Sequence, residues 1–96
     1  MPAYLIVDTQ LDDPDAYEEY KAKARPHIER WGGEYLARGG ELTLRESDLW
    51  SPTRMVLMRF PDVETAKACL DSPEYQEIVK ISRASARRTV VILDGL

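Results

Sequence analysis

Residues 54–60 read Arg-Met-Val-Leu-Met-Arg-Phe, the clearest buried strand of the chain. Side chains along a strand alternate between faces, so Met55 and Leu57 point one way and Val56, Met58 and Phe60 the other. Both faces are apolar. The same holds at residues 4–7, where Leu5 and Val7 oppose Tyr4 and Ile6, and at residues 90–93, where Val91 and Leu93 oppose Val90 and Ile92. A sheet covered by helices on one side and water on the other would alternate apolar with polar. These strands do not, so each sheet face needs an apolar partner.

Working outward, residues 3–9 are rich in β-branched and aromatic types and predict the first strand. Asp13-Pro14 then starts a helix, with Asp as N-cap and Pro at the first helical position. Tyr17, Tyr20, Ala24, Ile28 and Trp31 recur at spacings of three and four and share one face of that helix. Pro26 removes one helical hydrogen bond, which predicts a kink or a second short helix. Gly32-Gly33 ends the helix. Residues 34–38 form a short strand, Gly39-Gly40 marks a bulge or turn, and residues 41–46 continue extended. Residues 47–53 are a polar loop carrying Trp50 and Pro52. After the central strand, Pro61-Asp62 begins a helix with Val63, Ala66 and Leu70 inward. Ser72-Pro73-Glu74 restarts it with a fresh cap and runs to about residue 87, before a last strand at 89–93.

The order is β-α-β-β-α-β. Right-handed crossovers on one sheet make this a ferredoxin-like plait of the α+β class, an antiparallel sheet with helices on one face. One chain then has helices for only half of its apolar sheet surface. Burying each such side chain is worth roughly 1.5–3 kcal/mol, so the second face is expected to pack against its copy in a homodimer.

Composition bounds the function. Ninety-six residues are expected to form one domain spanning 1–96, with a core that a partner subunit would help. A net charge of −4, with acids and bases mixed, argues against nucleic acid and anionic membranes as partners. Cys69 is the only cysteine, which excludes an intrachain disulfide. No signal peptide or membrane-spanning run is seen, and a cytosolic location is expected. There is no phosphate-binding glycine loop, no dinucleotide fingerprint and no metal-ligand cluster, so neither metal nor cofactor is expected.

Several stretches resemble a known family. Asp13-Pro14 through Tyr17-Glu18-Glu19-Tyr20, residues 31–40 (Trp-Gly-Gly-Glu-Tyr-Leu-Ala-Arg-Gly-Gly), Phe60-Pro61 and residues 71–76 (Asp-Ser-Pro-Glu-Tyr-Gln) are similar to domain-of-unknown-function family 1330, in the dimeric α/β-barrel superfamily. The resemblance implies a plait whose sheet pairs with a second subunit's to close a barrel. Relatives in the wider superfamily include small monooxygenases, isomerases and dechlorinating enzymes, several without a cofactor.

The candidate site residues are few. His27 is the only histidine and a candidate general base or substrate hydrogen-bond donor, or else a partly exposed surface residue stacked on Trp31. Arg38 and Arg54, on or beside strands, are candidates to clamp a carboxylate or enolate oxygen; the alternative is pairing with Glu34, Glu41 or Asp48. Tyr17, Tyr20, Tyr75 and Trp31 are candidate walls of a pocket for an aromatic or carbonyl ligand, or simply core. Ser72 is expected to be a cap, since no histidine–acid pattern surrounds it in sequence, and Cys69 a small buried residue. Trp50 fits equally a dimer contact or a lid. Two classes of function follow: a cofactor-independent enzyme acting on a small aromatic or carbonyl compound, with His27 as base and Arg38 or Arg54 on the oxyanion, and a non-catalytic ligand-binding or structural dimer.

Overall fold

A computed structural model describes residues 1–96 as four strands and three helices. They run in the order β1 (Ala3–Leu11), α1 (Pro14–Arg30), β2 (Glu34–Arg38), β3 (Met55–Phe60), α2 (Val63–Asp71), α3 (Pro73–Ser85) and β4 (Ala86–Asp94). The strands form one sheet in the order β2-β3-β1-β4, with every neighbouring pair antiparallel. This is the ferredoxin-like plait.

Side-chain caps start each helix. Asp13 Oδ1 accepts from the Ala16 amide at 3.2 Å, Asp62 Oδ1 from Thr65 at 2.7 Å and Ser72 Oγ from Tyr75 at 3.3 Å. Such caps are each worth about 1 kcal/mol. Helix α1 stops where Gly32 turns left-handed at φ +85°. The next residue enters a tight fit, since a Cβ on Gly33 would lie 2.5 Å from Ile28 Cγ2 and 2.9 Å from Phe60 Cζ.

Three local expectations need correction. No second short helix begins at Pro26: α1 continues through it, and that residue lies on the exposed side, where water can satisfy the carbonyl that its ring leaves free. Residues 41–46 do not extend a strand; the chain from Gly39 to Arg54 is irregular and is held by side-chain bonds instead. Finally, α3 ends at Ser85 and β4 begins at Ala86, three residues before the expected start. The long β1–β4 register, from Ala3↔Asp94 to Leu11↔Ala86, draws Ala86, Arg87 and Arg88 into the sheet.

Beneath the helices lie Leu5, Val7, Val56, Met58 and Phe60, all buried. The opposite face carries Ile6, which the register sets between Leu57 and Val91, and Tyr4, set between Arg59 and Leu93. Val91 and Leu93 are 50% and 57% exposed, so this face is both apolar and open. The core itself divides. Leu5, Val7, Ile28, Val56, Met58 and Phe60 pack with Ala66 and Cys69 of α2. Tyr17, Tyr20 and Ala24 of α1 instead pack with Tyr75, Val79 and Ala86. Helix α1 approaches α3 closely and stands off the strands, which leaves space between the two clusters.

Candidate functional site

That space is a pocket that opens to solvent at its mouth. Its floor is Leu5 and Val7 of β1 with Val56 and Met58 of β3, and its roof is Tyr17, Tyr20 and Ala24 of α1. Tyr35 and Tyr75 close the sides, and the lining includes four cationic residues, Lys21, Arg38, Arg54 and Arg88. No aspartate or glutamate lines it. Lys21 is neutralised by Glu18 at 2.6 Å, whereas no carboxylate lies within 4.0 Å of Arg38, Arg54 or Arg88 in any of the chain's ion pairs. The pairing of Arg38 or Arg54 with Glu34, Glu41 or Asp48 is therefore absent.

Each arginine is positioned by its backbone. Arg38 ends β2, opposite Val56, and its guanidinium carbon sits 5.3 Å from the Tyr35 ring centroid. Arg54 precedes β3, and its carbonyl accepts from the Thr9 amide at 2.9 Å. Its guanidinium packs on Gly39, where a Cβ would meet Arg54 Nε at 2.8 Å. Gly39 also has φ +71°, a backbone conformation that favours glycine there.

Arg88 was missed because it falls between the helix read to about residue 87 and the strand read from residue 89. It lies opposite Thr9 on β4 and donates to Ser82 Oγ at 2.8 Å and to Tyr75 Oη at 3.3 Å, with its guanidinium 5.0 Å from the Tyr20 ring centroid. Burial works against its charge, but the phenols of Tyr20 and Tyr75 around it outweigh that and hold it protonated. Tyr20 and Tyr75 share a hydrogen bond of 2.6 Å. Burial, with Tyr75 beside it, pushes the Tyr20 phenol far above its ordinary range, so it stays neutral. The one clue in the sequence was the Arg87-Arg88 pair between two apolar segments.

The structure thus brings Tyr17, Tyr20, Tyr75, Arg38 and Arg54 to one cavity. It does not bring His27 or Trp31 there. Trp31 lies partly exposed beyond the end of α1, 6.2 Å from the His27 ring. His27 is fully buried against the α2–α3 joint and is stacked on Tyr75 at 5.8 Å. Its Nε2 lies 3.1 Å from Ser72 Oγ, and its Nδ1 lies 3.4 Å from Glu74 Oε2. A histidine and an acid therefore do surround Ser72, which the linear sequence concealed. By distance this is a Ser–His–Glu array; by proton placement it is not. The same Nε2 lies 3.2 Å from the Cys69 carbonyl, which can only accept, so Nε2 is the donor and cannot take the serine proton. Ser72 Oγ donates to that carbonyl too, at 2.8 Å, while capping α3. The cluster staples α1 to the joint. Cys69 at its centre is buried, and burial pushes its thiol up to about 11, so it is not a nucleophile at neutral pH. No three His, Cys, Asp or Glu side chains converge as a metal site would require.

The family model for a domain of unknown function, DUF1330, matches residues 2–96. The chain belongs to the DUF1330 family. Solved structures similar to this DUF1330 chain share its fold. A protein of unknown function from Rhodopseudomonas palustris is 24% identical, with a TM-score of 0.77 over 99% of this chain and 82% of its own. SnoaB, a cofactor-independent oxygenase from Streptomyces nogalater, is 15% identical, with a TM-score of 0.68 over 99% and 93%. A dimeric ferredoxin-like protein of unknown function from Jannaschia sp. CCS1 is 18% identical, with a TM-score of 0.68 over 99% and 100%. No curated protein matches the chain. No helix is long and apolar enough to cross a membrane.

Proposed function

We propose that this DUF1330 protein is a homodimer, joined through its open sheet faces. Its cavity takes a small aromatic or carbonyl compound and holds the enolate or phenolate oxygen of that compound on arginine. One observation carries the proposal: unpaired Arg38 and Arg54 meet Tyr17, Tyr20 and Tyr75 on an apolar cavity whose lining contains no carboxylate. Cations in a partly dry site favour the anionic form of a bound acid, which lowers the cost of ionising it. An ionised ligand whose own electrons do the chemistry needs no cofactor, and the fold likeness to a cofactor-independent oxygenase supports that class. The open apolar face and the dimeric fold relative support the assembly.

A second function is favoured by the position of His27. With the one imidazole outside the cavity, no general base of ordinary basicity lines it, which suits binding without turnover. A thermal-shift screen of phenols, quinones and carboxylates, followed by oxygen uptake and absorbance assays on each hit, separates the two. Turnover of a bound phenol or carbonyl compound establishes the enzyme; binding with the compound unchanged establishes the ligand-binding dimer. A screen without hits removes both.

A further inference from the structure

Thr9 follows Val7 on the helix-facing side of β1, and its side chain is 1% exposed. Its hydroxyl is buried without a hydrogen-bond partner. Buried hydroxyls are normally satisfied, and one left alone is destabilising. Its neighbours are informative. Arg88 is its register partner on β4, and on the other side the Thr9 amide bonds the carbonyl of Arg54. Arg54, just before β3, Thr9 on β1 and Arg88 on β4 thus form one row across the sheet, with the two arginine Cα atoms about 10 Å apart by ordinary strand spacing. Both arginines line the cavity and neither has a carboxylate partner.

We infer that the ligand of this cavity is a small aromatic carboxylate whose two oxygens are seated at the Arg54–Thr9–Arg88 row. The inference rests on the proposed cavity function and names its ligand class. A carboxylate offers about four lone-pair sites on two oxygens, which suits a guanidinium from each side and a hydroxyl beneath. A neutral carbonyl would leave two half-buried guanidinium groups without a counter-charge. A phosphate dianion is a poor match for an otherwise apolar floor of Leu5, Val7, Val56 and Met58. The aromatic part lies on that floor under Tyr17. Thr9 lies behind the lining formed by Val7, Arg54 and Arg88, so the carboxylate reaches its hydroxyl as the long arginine side chains part.

The test is calorimetry with 2-naphthoate and its neutral isostere 2-naphthamide, on the whole chain and on Thr9→Val. The wild-type chain should bind naphthoate at least tenfold more tightly than naphthamide. Thr9→Val keeps the shape and removes the hydroxyl, so it should raise Tm of the free protein. It should also weaken naphthoate severalfold and leave naphthamide unchanged. Opposite signs on stability and affinity are not expected of a residue that only packs. Arg54→Met should narrow the preference for naphthoate, and it avoids the bonds to Ser82 and Tyr75 that an Arg88 variant would break. Equal affinity for the two probes would overturn the carboxylate while leaving the cavity function standing. Unchanged naphthoate affinity in Thr9→Val would overturn the seat at Thr9. Binding of neither probe would overturn this inference, and a wider screen without hits would take the cavity function with it.

Discussion

Tyr20 and Tyr75 lie fifty-five residues apart in sequence and share a 2.6 Å hydrogen bond that ties α1 to α3 above the cavity. With Arg88 Nη2 donating to Tyr75 at 3.3 Å, the Tyr75 hydroxyl is free to donate onward to Tyr20. Tyr75→Phe removes the shared member and leaves both neighbours short, so it should cost about 2 kcal/mol, against about 1 kcal/mol for Tyr20→Phe. Urea unfolding measures both. The alkaline limb gives a second readout. Burial raises the Tyr20 phenol in the folded chain, while the unfolded chain ionises near its usual value of about 10. The folded state therefore keeps a proton that the unfolded state loses, and stability should fall as pH rises past about 10. Tyr20→Phe should flatten that fall.

His27 should matter for stability and not for binding. His27→Ala empties a fully buried site and removes the donor to the Cys69 carbonyl and Ser72 Oγ, which should cost about 3 kcal/mol. Variant that remains folded should bind any cavity ligand as the wild type does. A lost or pH-flattened affinity in folded His27→Ala would return the imidazole to the site.

Asp8 pins the irregular chain before β3. Its carboxylate accepts from the Thr53 amide at 2.9 Å, Thr53 Oγ1 at 3.2 Å, the Arg54 amide at 3.2 Å and Trp50 Nε1 at 3.1 Å. Partial burial raises its pKa, but these donors together outweigh burial and hold it below the usual carboxylate value. A depressed folded value means that the stabilisation is present above the unfolded value, about 3.9, and is lost as pH falls through the folded one. In a Trp31→Phe background, Trp50 emission should therefore shift to the red at acid pH before the chain unfolds. Asp8→Asn should show that shift at neutral pH and cost about 1 kcal/mol.

Leu57 and Met58 are adjacent and separate two roles. Met58 is 5% exposed beneath the helices, whereas Leu57 lies on the open face beside Ile6. Met58→Lys should unfold the chain, by several kcal/mol for an unpaired buried charge. Leu57→Lys should leave the fold and abolish the dimer, which light scattering reads as a drop from twice the 11.0 kDa chain mass to that mass. A monomeric wild type at micromolar concentration, or a dimeric Leu57→Lys, would exclude pairing of the sheets through this face.

Element order, caps and the doubly apolar strands were all legible along the chain, because capping chemistry and strand parity act over a few neighbouring residues. Asp13, Asp62 and Ser72 announced their helices, and residues 54–60 announced a sheet with two apolar faces. Tyrosines 17 and 20 could be placed on an inner helical face for the same reason. Tertiary structure decided the rest. Strand parity says that Leu57 and Met58 differ, but only packing shows which one the helices cover. Nothing local distinguishes Arg88 from a helical arginine, since residues 86–88 are drawn into β4 by pairing with a strand more than seventy residues earlier. His27 sits beside Pro26 in sequence yet answers to Cys69, Ser72 and Glu74, over forty residues away. Thr9 read as an ordinary strand residue. Its unpartnered hydroxyl and its two flanking arginines exist only once three strands lie side by side, because long-range register, not local propensity, chooses cross-strand neighbours.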